Sequence, residues 1–178
     1  LTGYAHVNNF TKRVTPEFKK STSTLIYINF SDKTRIAGSV YQREQGMIGG
    51  EPPSLSDEDL VRLTDTWDIV QNMIYNNQIL ALHDVSDGGL ITTLTEMAIA
   101  GDIGIDVILK QPERKLNNYL FNEELGIVLE IEQPHLYILG KELTRHKINY
   151  TFLGRTKKEK DLLIKNNNNI FFCAHLDN

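Results

Sequence analysis

The feature that most constrains this chain is the run Ile79-Leu80-Ala81-Leu82-His83, which passes without a gap into Asp84-Val85-Ser86-Asp87-Gly88-Gly89. A short, nearly continuous apolar run is the pattern of a strand buried on both faces. Behind the two glycines, Leu90, Leu94, Met97 and Ala98 recur at helical spacing, and Gly101 predicts the helix end. A buried strand that turns sharply into an amphipathic helix belongs to a layered architecture, with helices laid on a sheet.

The rest of the chain extends that pattern. Thr24 to Phe30 is β-branched and aromatic and predicts a strand, followed by a turn at Ser31 to Thr34. Ile36 to Gln45 predicts a short helix stopped by Gly46. Ser56 with Asp59 forms a capping box that opens a helix to Asn76, with Leu60, Leu63, Trp67, Val70 and Ile74 as its apolar stripe. Further strands are predicted at Thr2–Val7, Gly104–Leu109, Ile127–Ile131 and Tyr150–Leu153, and helices at Pro112–Leu120 and from Pro134, with Leu136, Leu139 and Leu143 inward. Leu162–Ile164 and Ile170–Phe172 predict a closing hairpin around an exposed Asn166–Asn169 turn. The class is α+β, or α/β-like layers. We expect a three-layer sandwich in which the Ser56–Asn76 and Gly88–Ala100 helices pack on a mixed sheet.

With 178 residues, 40% of them hydrophobic, the chain is long enough for one self-sufficient core, and we read residues 1–178 as a single domain. Nineteen Lys and Arg against 23 Asp and Glu give a net charge of −4, which offers no basic face for nucleic acid or an anionic membrane. The one cysteine, Cys173, excludes an internal disulfide and fits a reducing, cytoplasmic setting; we expect it to be a buried structural thiol. The opening Leu1-Thr2-Gly3-Tyr4 is neither an initiator methionine nor a signal peptide, and suggests a piece of a longer polypeptide.

Chemistry concentrates at His83 to Gly89. A helix start offers unpaired N–H groups and partial positive charge, and paired glycines let a ligand approach the backbone, so the pattern suits a phosphate. Asp84 and Asp87 carry hard oxygens suited to Mg²⁺, and the Ser86 hydroxyl suits a phosphate oxygen. The plainer reading makes Asp87 an N-cap, Gly88 a turn residue and His83 a satisfied strand-end histidine, and spacing alone favours it. Asn122-Glu123-Glu124 reads either as a metal or hydroxyl site or as a solvated turn. Asp32-Lys33 with Ala37-Gly38-Ser39 is a strand–turn–helix unit near which an anion could sit, although a solvated lysine is the simpler account.

Taken together, His83-Asp84-Val85-Ser86-Asp87-Gly88-Gly89-Leu90, Thr93 to Gly101, and Leu120-Phe121-Asn122-Glu123-Glu124-Leu125-Gly126 resemble phosphoribosylformylglycinamidine synthases. Gly3-Tyr4-Ala5, Val14-Thr15-Pro16 and Leu25 to Ile28 extend the resemblance over nearly the whole chain. It implies the C-terminal lobe of the second synthase half in the large single-chain form, with a fold like the C-terminal domain of aminoimidazole ribonucleotide synthetase. The implied activity is ATP- and glutamine-dependent conversion of formylglycinamide ribonucleotide to the formylglycinamidine in purine biosynthesis. The implied partners are the other synthase lobes and a glutaminase domain, so the lobe alone is expected to be inactive. The implied ligand is ATP or ADP with Mg²⁺. Asp84 matches the metal ligand and Ser86 a nucleotide contact, while Asp87, Gly88 and Gly89 complete the motif. Where such synthases carry a glycine-rich stretch, this chain has Ser31-Asp32-Lys33-Thr34-Arg35-Ile36. The runner-up is a non-catalytic nucleotide-binding or scaffolding module of the same fold.

Overall fold

In strand β1 (Thr24–Asn29), Leu25 and Tyr27 face one way, Ile26 and Ile28 the other, and all four are buried. A strand with a period of two and apolar residues on both faces demands a layer on each side. The computed structural model, which describes residues 9–176 together with Tyr4, His6 and Val7, shows those layers. β4 (Gly126–Ile131) flanks β1 on one side and β5 (Thr151–Lys157) on the other. β2 (Ile79–Val85) lies outside β4. β3 (Gly104–Leu109), β6 (Asp161–Asn166) and β7 (Asn169–His175) follow outside β5. The order is β2-β4-β1-β5-β3-β6-β7; β3 and β6 run parallel, and the other neighbours are antiparallel, so the sheet is mixed as expected.

Helices α3 (Gly89–Gly101) and α4 (Glu113–Phe121) cover one face, where Leu90, Leu94, Met97, Leu116 and Leu120 meet Leu25, Tyr27 and Val128. Helices α2 (Asp57–Tyr75) and α5 (Gln133–Arg145) cover the other, where Val70, Met73, Ile74, Leu139 and Leu143 meet Ile26, Ile28 and Leu129. The three-layer sandwich therefore forms as the strand and helix periods require.

Several local expectations are corrected. The stripe of α2 is rotated: Thr66, Ile69, Val70, Met73 and Ile74 are buried, while Leu60 and Trp67 are 46% and 45% exposed. Its cause lies at the helix start. Ser56 and Asp59 close the predicted capping box, and Arg62 bonds Asp59 and the Phe30 carbonyl. That arrangement turns residues 59 and 62 toward the sheet and Leu60 outward. The first helix, α1 (Val40–Glu44), is shorter than predicted, because Ser39 already caps it. β2 buries side chains on both faces but is an outer strand, with Thr15 bridging its far side at Ala81. Asp102, not Gly101, takes the left-handed cap of α3. Gly101 is needed because a Cβ there would lie 2.5 Å from the Phe18 carbonyl oxygen. Asn166 is buried and exchanges two hydrogen bonds with the Gln111 backbone, so it anchors its hairpin rather than decorating it. Half of the expected Thr2–Val7 strand, Thr2, Gly3 and Ala5, lies outside the described residues; Tyr4, His6 and Val7 are exposed and belong to no strand.

Cys173, expected to be buried, is exposed, because it stands on an outer face of β7. A thiol reagent should therefore titrate one equivalent in the native protein without denaturant. A thiol that reacts only on unfolding would contradict this placement.

Candidate functional site

β1 and β2 both run antiparallel to β4, and Asn29 and Val85 both register with Gly126. Three connections therefore converge at one end of the sheet: the turn after β1, the acidic turn after β2, and the segment Asn122–Leu125 that enters β4. The sequence places them far apart, and the topology makes them neighbours.

Asn122-Glu123-Glu124 is no solvated turn. Asn122 and Glu124 are fully buried. The Asn122 amide donates to the carbonyls of Asn118 and Tyr119 at 2.7 and 2.9 Å, closing the end of α4, and its Oδ1 accepts from the Glu124 N–H. Glu124 Oε1 accepts from Arg35 Nε at 2.6 Å, and Oε2 accepts from Arg35 Nη2 at 2.9 Å. The Arg35 backbone N–H and the Ser31 hydroxyl also donate to this carboxylate. Burial pushes the Glu124 carboxyl up, but the Arg35 guanidinium and the two further donors outweigh it and hold the group below its usual range. Arg35 reaches on to Glu51 and Ser54, tying the loop before α2 to the same post.

Glu123 explains the helix starts. Its Oε1 accepts from the N–H of Gly88 and from that of Val40, both at 2.9 Å. One carboxylate thus satisfies donors at the beginnings of α3 and α1, the favourable place for negative charge. The Gly89 N–H donates to the Ser86 carbonyl. Of the backbone donors that suggested a phosphate seat, those of Gly88 and Gly89 are already engaged within the chain. The glycines serve the chain's own packing: Gly88 and Gly89 have φ of 82° and 73°, and a Cβ on Gly89 would lie 2.6 Å from the Asn122 carbonyl oxygen. The sequence signal for Glu123 is only its position in a block with Asn122 and Glu124; its partners Val40 and Gly88 are visible only in the fold.

Asp84 is exposed at the end of β2. Ser86 Oγ donates to its Oδ2 at 2.6 Å, and this bond is the main cause that holds the Asp84 carboxyl below its usual range. His83 Nδ1 lies 3.3 Å from Oδ1, and His83 Nε2 lies 3.5 Å from Glu96. Ser86 and Asp87 are exposed too, and with Pro53, Leu55 and Glu123 they line a cleft of about 350 Å³. No group of three or more His, Cys, Asp or Glu side chains among the described residues is arranged to hold a metal. Mg²⁺ bound mainly by waters and phosphate oxygens needs only one or two carboxylates, and an open Asp84 fits that lesser demand. Asp32 and Lys33 join neither group. Asp32 pairs with Arg62, and Lys33 lies 4.0 Å from Glu51.

Fold and site together define a three-layer α/β domain that presents single acidic side chains at one end of its sheet, not a closed metal cage. Residues 25–164 match the AIR synthase related protein, C-terminal domain, and the chain belongs to that family. It is 35% identical over 157 residues to a probable phosphoribosylformylglycinamidine synthase, chloroplastic/mitochondrial, of Arabidopsis thaliana, covering 86% of this chain and 11% of that protein. It is 34% identical over 160 residues to the phosphoribosylformylglycinamidine synthase of Homo sapiens, covering 88% and 12%. It is also 32% identical over 167 residues to the probable membrane antigen 75 of Saimiriine herpesvirus 2, covering 94% and 12%. The chain thus spans about a tenth of the length of these relatives. Among solved structures, Thermotoga maritima PurL complexed with ATP superimposes with a TM-score of 0.72 at 11% identity, over 94% of this chain and 27% of that one, which establishes shared fold.

Proposed function

We propose that the chain is one C-terminal lobe of a phosphoribosylformylglycinamidine synthase, in which it helps to hold a Mg²⁺-bound ATP or ADP. In that setting the whole enzyme converts formylglycinamide ribonucleotide to the formylglycinamidine, a cytoplasmic ligase step of purine biosynthesis fed by a glutaminase domain. The observation that carries the reading is Asp84: an open carboxylate, kept charged by Ser86, at the mouth of a locked scaffold whose own helix starts are neutralised by Glu123. A diphosphate placed near so many carboxylates needs a cation between them, and Asp84 is the group positioned to share it. Bound there, the cation would screen the phosphates and fix their orientation. The chain's own contribution is positional. Ser86 orients Asp84 and turns toward the cleft, and Asp87 borders the same opening. Gly88 and Gly89 act through the backbone path that places both. No helix among the described residues is long and apolar enough to cross a membrane, which is compatible with the cytoplasmic reading.

Asp84→Asn removes the charge and keeps the shape. In the full-length protein it should lower the bound nucleotide recovered on purification and lower Tm, because a ligand that binds only the folded state stabilises it. Unchanged nucleotide content with an unchanged melt would reduce Asp84 to a turn residue. The viral relative keeps a second reading in view, a non-catalytic module of the same fold. Amidine formation by the full-length protein from ATP and ammonia separates the two, and the lobe alone should show none, since the other reacting groups must be positioned by other lobes.

A further inference from the structure

His83 and Asp84 are neighbours on β2 with opposite exposures: the His83 side chain is 22% exposed and the Asp84 side chain 65%. The imidazole lies on the face that packs on α3, because Ala81 and Val85, two residues to either side of it, belong to the core beneath that helix. From there Nδ1 approaches Asp84 twice. It lies 2.8 Å from the Asp84 carbonyl oxygen and 3.3 Å from Oδ1 of the carboxylate. Both are acceptors, so Nδ1 carries the ring proton and one N–H is shared between them. On the α3 side, Thr93 Oγ1 donates to the same Asp84 carbonyl at 3.3 Å, and His83 Nε2 lies 3.5 Å from Glu96. The ring is therefore placed between β2 and α3.

A carboxylate at the open end of a strand turns about two side-chain torsions. At Asp84 its two oxygens meet different groups: Ser86 Oγ at Oδ2, and His83 at Oδ1. Ser86 sits in the exposed turn, whereas His83 reaches the carboxylate from the packed layer. His83 is thus the contact that ties the direction of this carboxylate to the rigid part of the fold. A histidine that only filled space between β2 and α3 would have no need to meet it.

We infer that His83 is a positioning residue for Asp84: its Nδ1–H holds the main chain and the carboxylate of Asp84 in one relation, so that the carboxylate is oriented before a Mg²⁺-bound nucleotide arrives. The inference rests on the reading of Asp84 given above. A ligand set in advance loses less freedom on binding, and groups that stand behind a metal ligand are worth about ten- to a hundredfold in metal affinity.

The test measures, in the full-length protein, the Mg²⁺ concentration that half-saturates ADP binding, together with the melt of the nucleotide-free protein. His83→Ala should raise that concentration about tenfold. His83→Asn should recover most of the loss, because its amide N–H stands two bonds from Cβ, as Nδ1 does. In an Asp84→Asn background His83→Ala should add nothing, since both changes then remove the same interaction. Parental Mg²⁺ dependence of His83→Ala beside a weakened Asp84→Asn would overturn this inference alone. So would an equal loss on adding His83→Ala to Asp84→Asn. A His83→Asn protein as weak as His83→Ala would overturn it too, and a lowered nucleotide-free melt in both would then assign His83 to packing. Parental Mg²⁺ dependence of Asp84→Asn would instead overturn the reading of Asp84 itself, and the role of His83 with it.

Discussion

Replacing Arg35 with Met should lower stability by about 3–5 kcal/mol, the cost of leaving a buried carboxylate without its partner. For a chain of this size that corresponds to a fall in Tm on the order of 10 °C. Glu124 is fully buried, and among the described residues Arg35 is its only charged hydrogen-bond partner. Arg35→Lys should recover little, because a single ammonium cannot meet both carboxylate oxygens as the guanidinium fork does. The pH dependence has a definite sign. Glu124 is held below its usual range when folded, so the unfolded chain binds its proton first as pH falls. The stabilisation is complete above the ordinary carboxylate range and is lost as pH drops through and below it. Glu124→Gln should remove that acid-sensitive part, flattening the stability profile on the acid side. Glu130 works in the opposite direction. Burial pushes this group up against the opposing pull of Ser23, Lys19 and Lys20, so it favours folding in its protonated form and its contribution falls as pH rises. Chemical denaturation of the parent and the Arg35 and Glu124 variants across acid pH checks both signs. An Arg35→Met protein with parental stability would show that the pair does not hold this end of the sheet.

Gly89→Ala should cost about 3 kcal/mol, and Gly38→Ala much less, although both residues have positive φ. At Gly38, φ is 84° and a Cβ would meet nothing within 4 Å, so only the backbone preference of about 1–2 kcal/mol is lost. At Gly89, φ is 73° and the added carbon would lie 2.6 Å from the Asn122 carbonyl oxygen and 2.7 Å from that of Leu120. Those are backbone atoms, so the Asn122–Glu124 segment itself must move, adding an overpacking cost of about 1–3 kcal/mol. The displacement reaches Glu123, and with it the starts of α3 and α1. Denaturant midpoints of the two variants measure the difference. Equal losses would mean that α3 does not press on the end of α4 as described.

Much of this architecture was legible in the residues. Alternating apolar faces in Thr24–Asn29, the capping box at Ser56, Pro134 near a helix start and the two hydrophobic runs flanking Asn167 are local signals, and each became the element it predicts. Local periodicity specifies an element because the backbone's own geometry sets which side chains share a face. The rotation of α2 was not legible, because the five apolar positions at helical spacing do not reveal that Asp59 and Arg62 would turn inward to reach the end of β1. Nor was the exposure of Cys173, which depends on β7 being an outer strand.

The candidate site divides along the same line. The sequence by itself determined the acidic turn, the place of Asp84 between a strand and a helix start, and the family resemblance those blocks carry. Only the tertiary structure decided what the neighbouring groups do. It brought Glu123 to the amides of Gly88 and Val40 and buried Glu124 against Arg35. The physical reason is that a backbone N–H or a carboxylate has no fixed role in a sequence. Its role depends on which partner the fold brings within about 3 Å, and burial makes that pairing obligatory.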